Sequence, residues 1–180
     1  QQHRGEADAE GQQGDELLHQ LPEHRRRCAL IAQHGELVSD ERVVGHVQTH
    51  RVDAIDQAPN PDQAAMRLAL AEAELALTTD DVPVGAVILD ADGSVLAHGR
   101  NEREKHQDPT AHAEIVAIRR AAEARNDWHL TDTTLVVTLE PCVQCAGAIL
   151  AARIPRVVFG AWDEKAGAAG SVYDLLRDRR

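Results

Sequence analysis

At 180 residues the chain has room for one domain of ordinary size and little more. Its formal net charge of -11, with acidic residues spread over both halves, excludes broad sequence-blind affinity for nucleic acid, which needs many Lys and Arg facing phosphates. Three cysteines exclude a disulfide framework and point to a reducing compartment, and without an apolar leader or a run approaching about 18 apolar residues we expect no signal peptide, no membrane span and a cytoplasmic location.

Residues 1–63 are dominated by Gln, His, Glu, Asp and Arg, with apolar residues only in short unperiodic pieces such as Cys28 to Ala32 and Val43-Val44. We expect this segment to be solvated and poorly ordered. His3, His19, His24, His34, His46 and His50 are scattered without ligand spacing. Position 1 is not methionine and Met66 is the only Met, so we also expect most of the segment to lie upstream of the natural start. Residues 64–180 then form the functional domain.

Pro59-Asn60-Pro61 is a break, and Asp62 is placed to cap the first helix after it. Met66, Leu70, Ala73 and Leu77 recur at three- and four-residue steps, which predicts a helix with one buried stripe. Val84 to Leu89, the Asp92-Gly93 turn and Ser94 to His98 predict an antiparallel hairpin. Arg100 to His106 reads as a polar loop, either an ordinary solvated one or a rim for a polyanionic substrate.

Asp108-Pro109-Thr110 is expected to start a helix running to about Arg125, with Ile115, Ile118 and Ala122 inward. Thr134 to Leu139 is a buried strand that delivers Glu140-Pro141 to a second helix start. Arg156 to Gly160 is the next strand, and Ser171 to Leu176 a final short helix. This order predicts an α/β fold, a mixed sheet with helices on both faces, in which the strands joined through the two later helices run parallel.

Those two helix starts carry the chemistry. His112 and Glu114 stand as H-x-E, and Cys142 and Cys145 as P-C-x-x-C. One imidazole and two thiolates make three ligands for tetrahedral zinc and leave the fourth position open, the mark of a catalytic site. Glu114 is the carboxylate placed to take and return a proton from the activated water. A C-x-x-C pair alone reads equally as a redox dithiol, but that reading does not account for H-x-E across one strand and one loop. Residues two apart on a helix point about 200° away from each other, so His112 and Glu114 serve one ion only if His112 sits at the very start of its helix.

With H-x-E and P-C-x-x-C in place, the stretch from about Met66 to Tyr173 closely resembles the bacterial tRNA-specific adenosine deaminases of the cytidine-deaminase-like superfamily. The strings VPVGAV, DPTAHAE and VTLEPCVQCAGA suit other superfamily members too; RVVFGAWDEKAGAAGS, from Arg156 to Ser171, is the discriminating one. The resemblance implies a three-layer α/β/α cytidine-deaminase-like fold and hydrolytic conversion of the wobble adenosine of a tRNA anticodon to inosine. It implies one zinc per subunit on His112, Cys142 and Cys145, with Glu114 as proton shuttle. Asn101 would hydrogen-bond the flipped base, Asp163 would contact the anticodon loop, and the chain would act as a homodimer. The first 63 residues have no counterpart in the family's pattern. The family continues past Arg180 with a further strand and a C-terminal helix, so we expect Arg156 to Gly160 to be an exposed sheet edge. Two other outcomes keep most of these residues: a deaminase of another base or nucleoside, and a catalytically silent zinc-binding chain.

Overall fold

A computed structural model describes residues 38–40 and 60–178. The expectations of disorder and of an upstream origin for residues 1–63 fall outside the described residues, apart from one short strand and residues 60–63, which open the first helix. In chain order the elements are β1 (Val38–Asp40), α1 (Pro61–Ala76) with a 3-10 turn (Leu77–Thr79), β2 (Gly85–Leu89), β3 (Val95–Arg100), α2 (Arg103–His106), α3 (Ala113–Arg125), β4 (Thr134–Val137), α4 (Val143–Ala151) and β5 (Arg156–Phe159).

The strands form one mixed sheet in the order β1-β5-β4-β2-β3. β2 is antiparallel to both β3 and β4, and β4 is parallel to β5. Strands joined through α3 and α4 therefore run in the same direction, as expected. Side chains alternate across the sheet, and the core divides accordingly. Val87, Leu89, Val136 and Val158 meet Ala65, Met66 and Ala69 of α1 on one face. Ala86, Ile88, Leu135, Val137 and Phe159 meet Ala113, Ala117, Ala121, Ala146 and Ile149 of α3 and α4 on the other. The result is the three-layer α/β/α arrangement.

The buried helix faces are smaller than the periodicity predicts. In α1 the inward residues are Ala65, Met66, Ala69, Ala73 and Ala76, whereas Leu77 is exposed. In α3 they include Ala113, Ile115, Val116, Ala117 and Ala121, and Ile118 and Ala122 are only partly covered. The cause lies in the strands. A Cβ on Gly85 would stand 2.0 Å from the Ala69 carbonyl oxygen, and one on Gly99 would stand 2.2 Å from that of Ala113. Helix backbones press directly onto these glycines, so alanine rather than leucine fits the contact.

Several boundaries differ from expectation, each for a local reason. Asn60 caps α1, its side chain accepting the Asp62 N-H at 3.0 Å. Asp62 instead takes Arg156 in two hydrogen bonds of 2.8 and 2.6 Å, tying α1 to β5. Asp108 does not start α3, because its carboxylate accepts both the N-H and the hydroxyl of Thr110 in a local turn. The polar stretch after Arg100 contains α2. Ser171 to Leu176 is not helical: the Gly170 N-H donates to the Tyr173 carbonyl and the Leu175 N-H to that of Ala168, so the chain folds back on itself. β5 is not an open edge either, since Val38–Asp40 pairs with it antiparallel. Three residues are too short a strand to announce themselves by alternation.

Candidate active site

β3 and β4 each deliver the chain toward a helix N-terminus at the same end of the sheet. His112 is the N-cap of α3, with extended φ and ψ of -70° and 156°, and Cys142 is the N-cap of α4, at -75° and 176°. His112 therefore stands one residue before the helix rather than at its first position. That releases it from the helical rotation separating it from Glu114, which sits inside the first turn and is buried. Cys145, fully buried, lies one turn into α4.

The His112 Nδ1 atom lies 3.6 Å from Cys142 Sγ and 3.5 Å from Cys145 Sγ. Bonds of about 2.3 Å to sulfur and about 2.0 Å to nitrogen, meeting at a tetrahedral angle, require a nitrogen-sulfur separation of roughly 3.5 Å. The donor atoms all lie within 4.8 Å of one another, so the trio fits a zinc ion as it stands.

Electrostatics separate the roles of these groups. A hydrogen bond from Cys145 and the neighbouring His112 bring the Cys142 thiol down to about 3, against the opposing effect of its own burial. The Cys145 proton is held against the Cys142 sulfur, and burial raises that thiol further. Both sulfurs stand at the N-terminus of α4, where backbone N-H groups favour thiolate. The hydrogen bond to Cys142 raises His112. Burial pushes Glu114 up to about 7, against the lowering effects of its own backbone N-H and of His112.

The pocket in front of this trio is lined by Val82, Val84, Asn101, Arg103, His112, Glu114, Leu139, Glu140, Cys142, Asp163 and Ala166. Asn101 and Asp163 thus share one pocket with Glu114 and two of the three donors, while Cys145 lies behind the surface. Asn101 is buried, and its Oδ1 has no hydrogen-bond partner among the described residues. A buried amide oxygen left unpaired is costly, which suits an atom kept for a ligand. Arg103 comes from the polar stretch read as a solvated loop or a substrate rim, whereas sequence reasoning missed Val82, Val84 and Glu140. Only Glu140 carried a signal, an acidic residue at a strand-to-helix junction directly before Pro-Cys.

A mixed sheet that brings a histidine, two cysteines and a buried glutamate together at two helix starts defines a zinc-dependent deaminase of the cytidine-deaminase-like class. The model of the cytidine and deoxycytidylate deaminase zinc-binding region matches residues 59–161, and the chain belongs to that family. Within it, the chain is 47% identical over 115 residues to a tRNA-specific adenosine deaminase of Streptococcus pyogenes serotype M18, covering 64% of this chain and 72% of that protein. It is 52% identical over 119 residues to a tRNA(Ile)-lysidine synthase of Deinococcus radiodurans, covering 66% of this chain but 20% of that protein. A solved structure from a study of A-to-I editing by tRNA:A34 deaminases at the wobble position superposes with a TM-score of 0.62 at 46% identity, covering 64% of this chain and 83% of that one. Among the described residues no helix is long and apolar enough to cross a membrane.

Proposed function

We propose that the chain hydrolyses the 6-amino group of the wobble adenosine in a tRNA anticodon, giving inosine and ammonia. His112 Nδ1 and the Cys142 and Cys145 sulfurs hold one zinc ion in this reading. Zinc so bound supplies a Lewis acid that makes water a nucleophile near neutral pH. Glu114 takes the proton of the attacking water on its carboxylate, delivers it to the ring nitrogen next to C6, and then serves the departing amine. Asn101 orients the extruded base through its amide, and Asp163 meets the anticodon loop beside it. The overall change consumes one water and needs no redox partner.

The observation that carries this reading is the placement of Glu114: a buried carboxyl lining the pocket beside three donors spaced for zinc. A carboxyl there stands where a proton can be taken from water and returned, which a purely structural zinc site does not require. The wobble-editing relatives support the RNA substrate. We further propose residues 64–180 as the catalytic domain, a homodimer as the working form, and the cytoplasm as its compartment.

The deciding experiment incubates the zinc-loaded chain with an anticodon stem-loop, and in parallel with free adenosine, guanine and cytidine. Inosine in the RNA, lost in Glu114→Ala, is the expected result. Product from a free base or nucleoside alone would move the assignment to another deaminase. Activity at background in the parent, unchanged in Glu114→Ala, would leave a zinc-binding chain without this chemistry.

A further inference from the structure

We propose that Glu140 is a positioning residue whose buried carboxylate tethers the backbone of Asp163 and so fixes Asp163 on the pocket wall; this rests on the RNA-deaminase reading of the site. Glu140 is 2% exposed and sits between β4 and the Cys142 N-cap. Its Oε2 accepts the Asp163 N-H at 2.9 Å. Its Oε1 accepts the N-H groups of Ala169 at 2.8 Å and Ser171 at 3.1 Å. A carboxylate is costly to bury unless its lone pairs are used, and here both oxygens are spent on one irregular segment.

Two further features show that the segment is built around this carboxylate. A Cβ on Gly167 would stand 2.2 Å from Glu140 Oε2, so the loop leaves no room between itself and the acid. The Ser171 hydroxyl donates to the Asp163 carbonyl at 2.8 Å, closing a second tie across the same loop. Asp163 is thus gripped at its N-H by Glu140 and at its C=O by Ser171. Glu140 also joins this loop to the metal-site helix, because the next residue, Pro141, accepts the Ala168 N-H at 2.8 Å.

The two oxygens make separable contributions. In Glu140→Gln the side chain keeps its volume, and its remaining oxygen retains the most contacts where Oε1 stands. The amide NH2 then faces the Asp163 N-H, donor against donor, and the Asp163 tether alone is lost. Glu140→Gln is expected to keep one zinc per chain and to raise KM for the stem-loop about tenfold, with a much smaller change in kcat. Asp163→Ala should raise KM in the parent and add little in the Glu140→Gln background, since both act at one point. Ser171→Ala, which buries no altered charge, should shift KM in the same direction by less and gives a second reading if Glu140→Gln folds poorly.

The tether itself is read without substrate, by amide hydrogen exchange at Asp163. Faster exchange in Glu140→Gln, with the β4 and β5 amides unchanged, supports the proposal. Unchanged exchange at Asp163, or fully additive effects of Glu140→Gln and Asp163→Ala, overturns it. A parent chain inert toward the stem-loop would instead remove the RNA reading, and the exchange measurement would still decide the tether.

Discussion

Asp81 lies 23 residues before Glu104, yet its carboxylate accepts the Glu104 N-H at 2.7 Å and the Lys105 N-H at 3.2 Å. The same side chain takes the Thr79 hydroxyl at 2.7 Å. An acid from the loop after α1 and its 3-10 turn therefore caps α2, the short helix that begins at the pocket residue Arg103. Removing such a cap costs about 1–2 kcal/mol. Asp81→Ala should lower the denaturant midpoint at unchanged slope and raise KM for the RNA, while Asp81→Asn, which keeps an acceptor, should do less of both. An unchanged midpoint in Asp81→Ala would show that α2 needs no cap.

Next to this cap, Glu102 is buried beneath Lys105 at 2.8 Å, Arg120 at 3.2 Å and Arg100 at 3.6 Å. Burial pushes its carboxyl up, but the Lys105 hydrogen bond and the charges of Arg120, Lys105 and Arg100 outweigh it and leave the group below its ordinary 4.5. Asp81 is likewise held below 3.8: burial raises it, but the hydrogen bonds from the Glu104 backbone and the Thr79 hydroxyl prevail. A carboxyl lowered on folding stabilises the native state above its unfolded value, and that stability goes as pH falls through the folded one. Unfolding free energy should therefore drop as pH falls below about 4.5, and Glu102→Gln should flatten that acid limb. Equal slopes for the two proteins from pH 2 to 5 would contradict it.

How much of the molecule is legible in its sequence depends on the range of the interactions. His112, Glu114, Cys142 and Cys145 stand in short motifs, and strand periodicity alone brings both motifs to helix starts. Asp81 above α2, Asp62 on Arg156 and Val38–Asp40 on β5 are pairings between distant segments, and no local pattern encodes them. Helical periodicity favours leucine as the buried residue in α1. Gly85 and Gly99 decide otherwise by admitting only small side chains opposite them.

Gly99 is for that reason a sharp test. An added methyl would stand 2.2 Å from the Ala113 carbonyl oxygen and 2.5 Å from the Ala117 nitrogen, both backbone atoms that move only with α3. Overpacking of this kind costs roughly 1–3 kcal/mol. Because α3 begins beside His112 and Glu114, Gly99→Ala should lower turnover as well as the denaturation midpoint. Wild-type stability in Gly99→Ala would mean that the helix does not rest on the strand as described.

Zinc uptake should carry protons with it. Near neutrality Cys142 is already thiolate, Cys145 keeps its proton, and His112 is raised by its hydrogen bond to Cys142. Binding therefore releases on the order of one to two protons, and affinity rises with pH. Calorimetry in buffers of different ionisation enthalpy reads that number directly. Chelation should lower the melting temperature and added zinc should restore it. Uptake without proton release would count against Cys145 and His112 as ligands.

Glu114 should show opposite signs in stability and in catalysis. Its carboxyl, raised by burial to about 7 from an ordinary 4.5, holds more proton in the folded chain than in the unfolded one between those values. Its own contribution to the stability of the metal-free chain accordingly falls as pH rises across that window and levels off above it. Glutamine carries no such charge. After chelation, Glu114→Gln should exceed the parent by about 3 kcal/mol above pH 7 and match it below pH 4.5. The same substitution removes the group that moves the proton and should cut turnover of the zinc-loaded chain by about 100- to 10,000-fold with zinc retained. Denaturant titrations across pH 4 to 9 and single-turnover assays give the two halves. A variant that is both less stable and inactive would show Glu114 to be a structural acid, and one that is more stable and still active would place the proton transfer elsewhere.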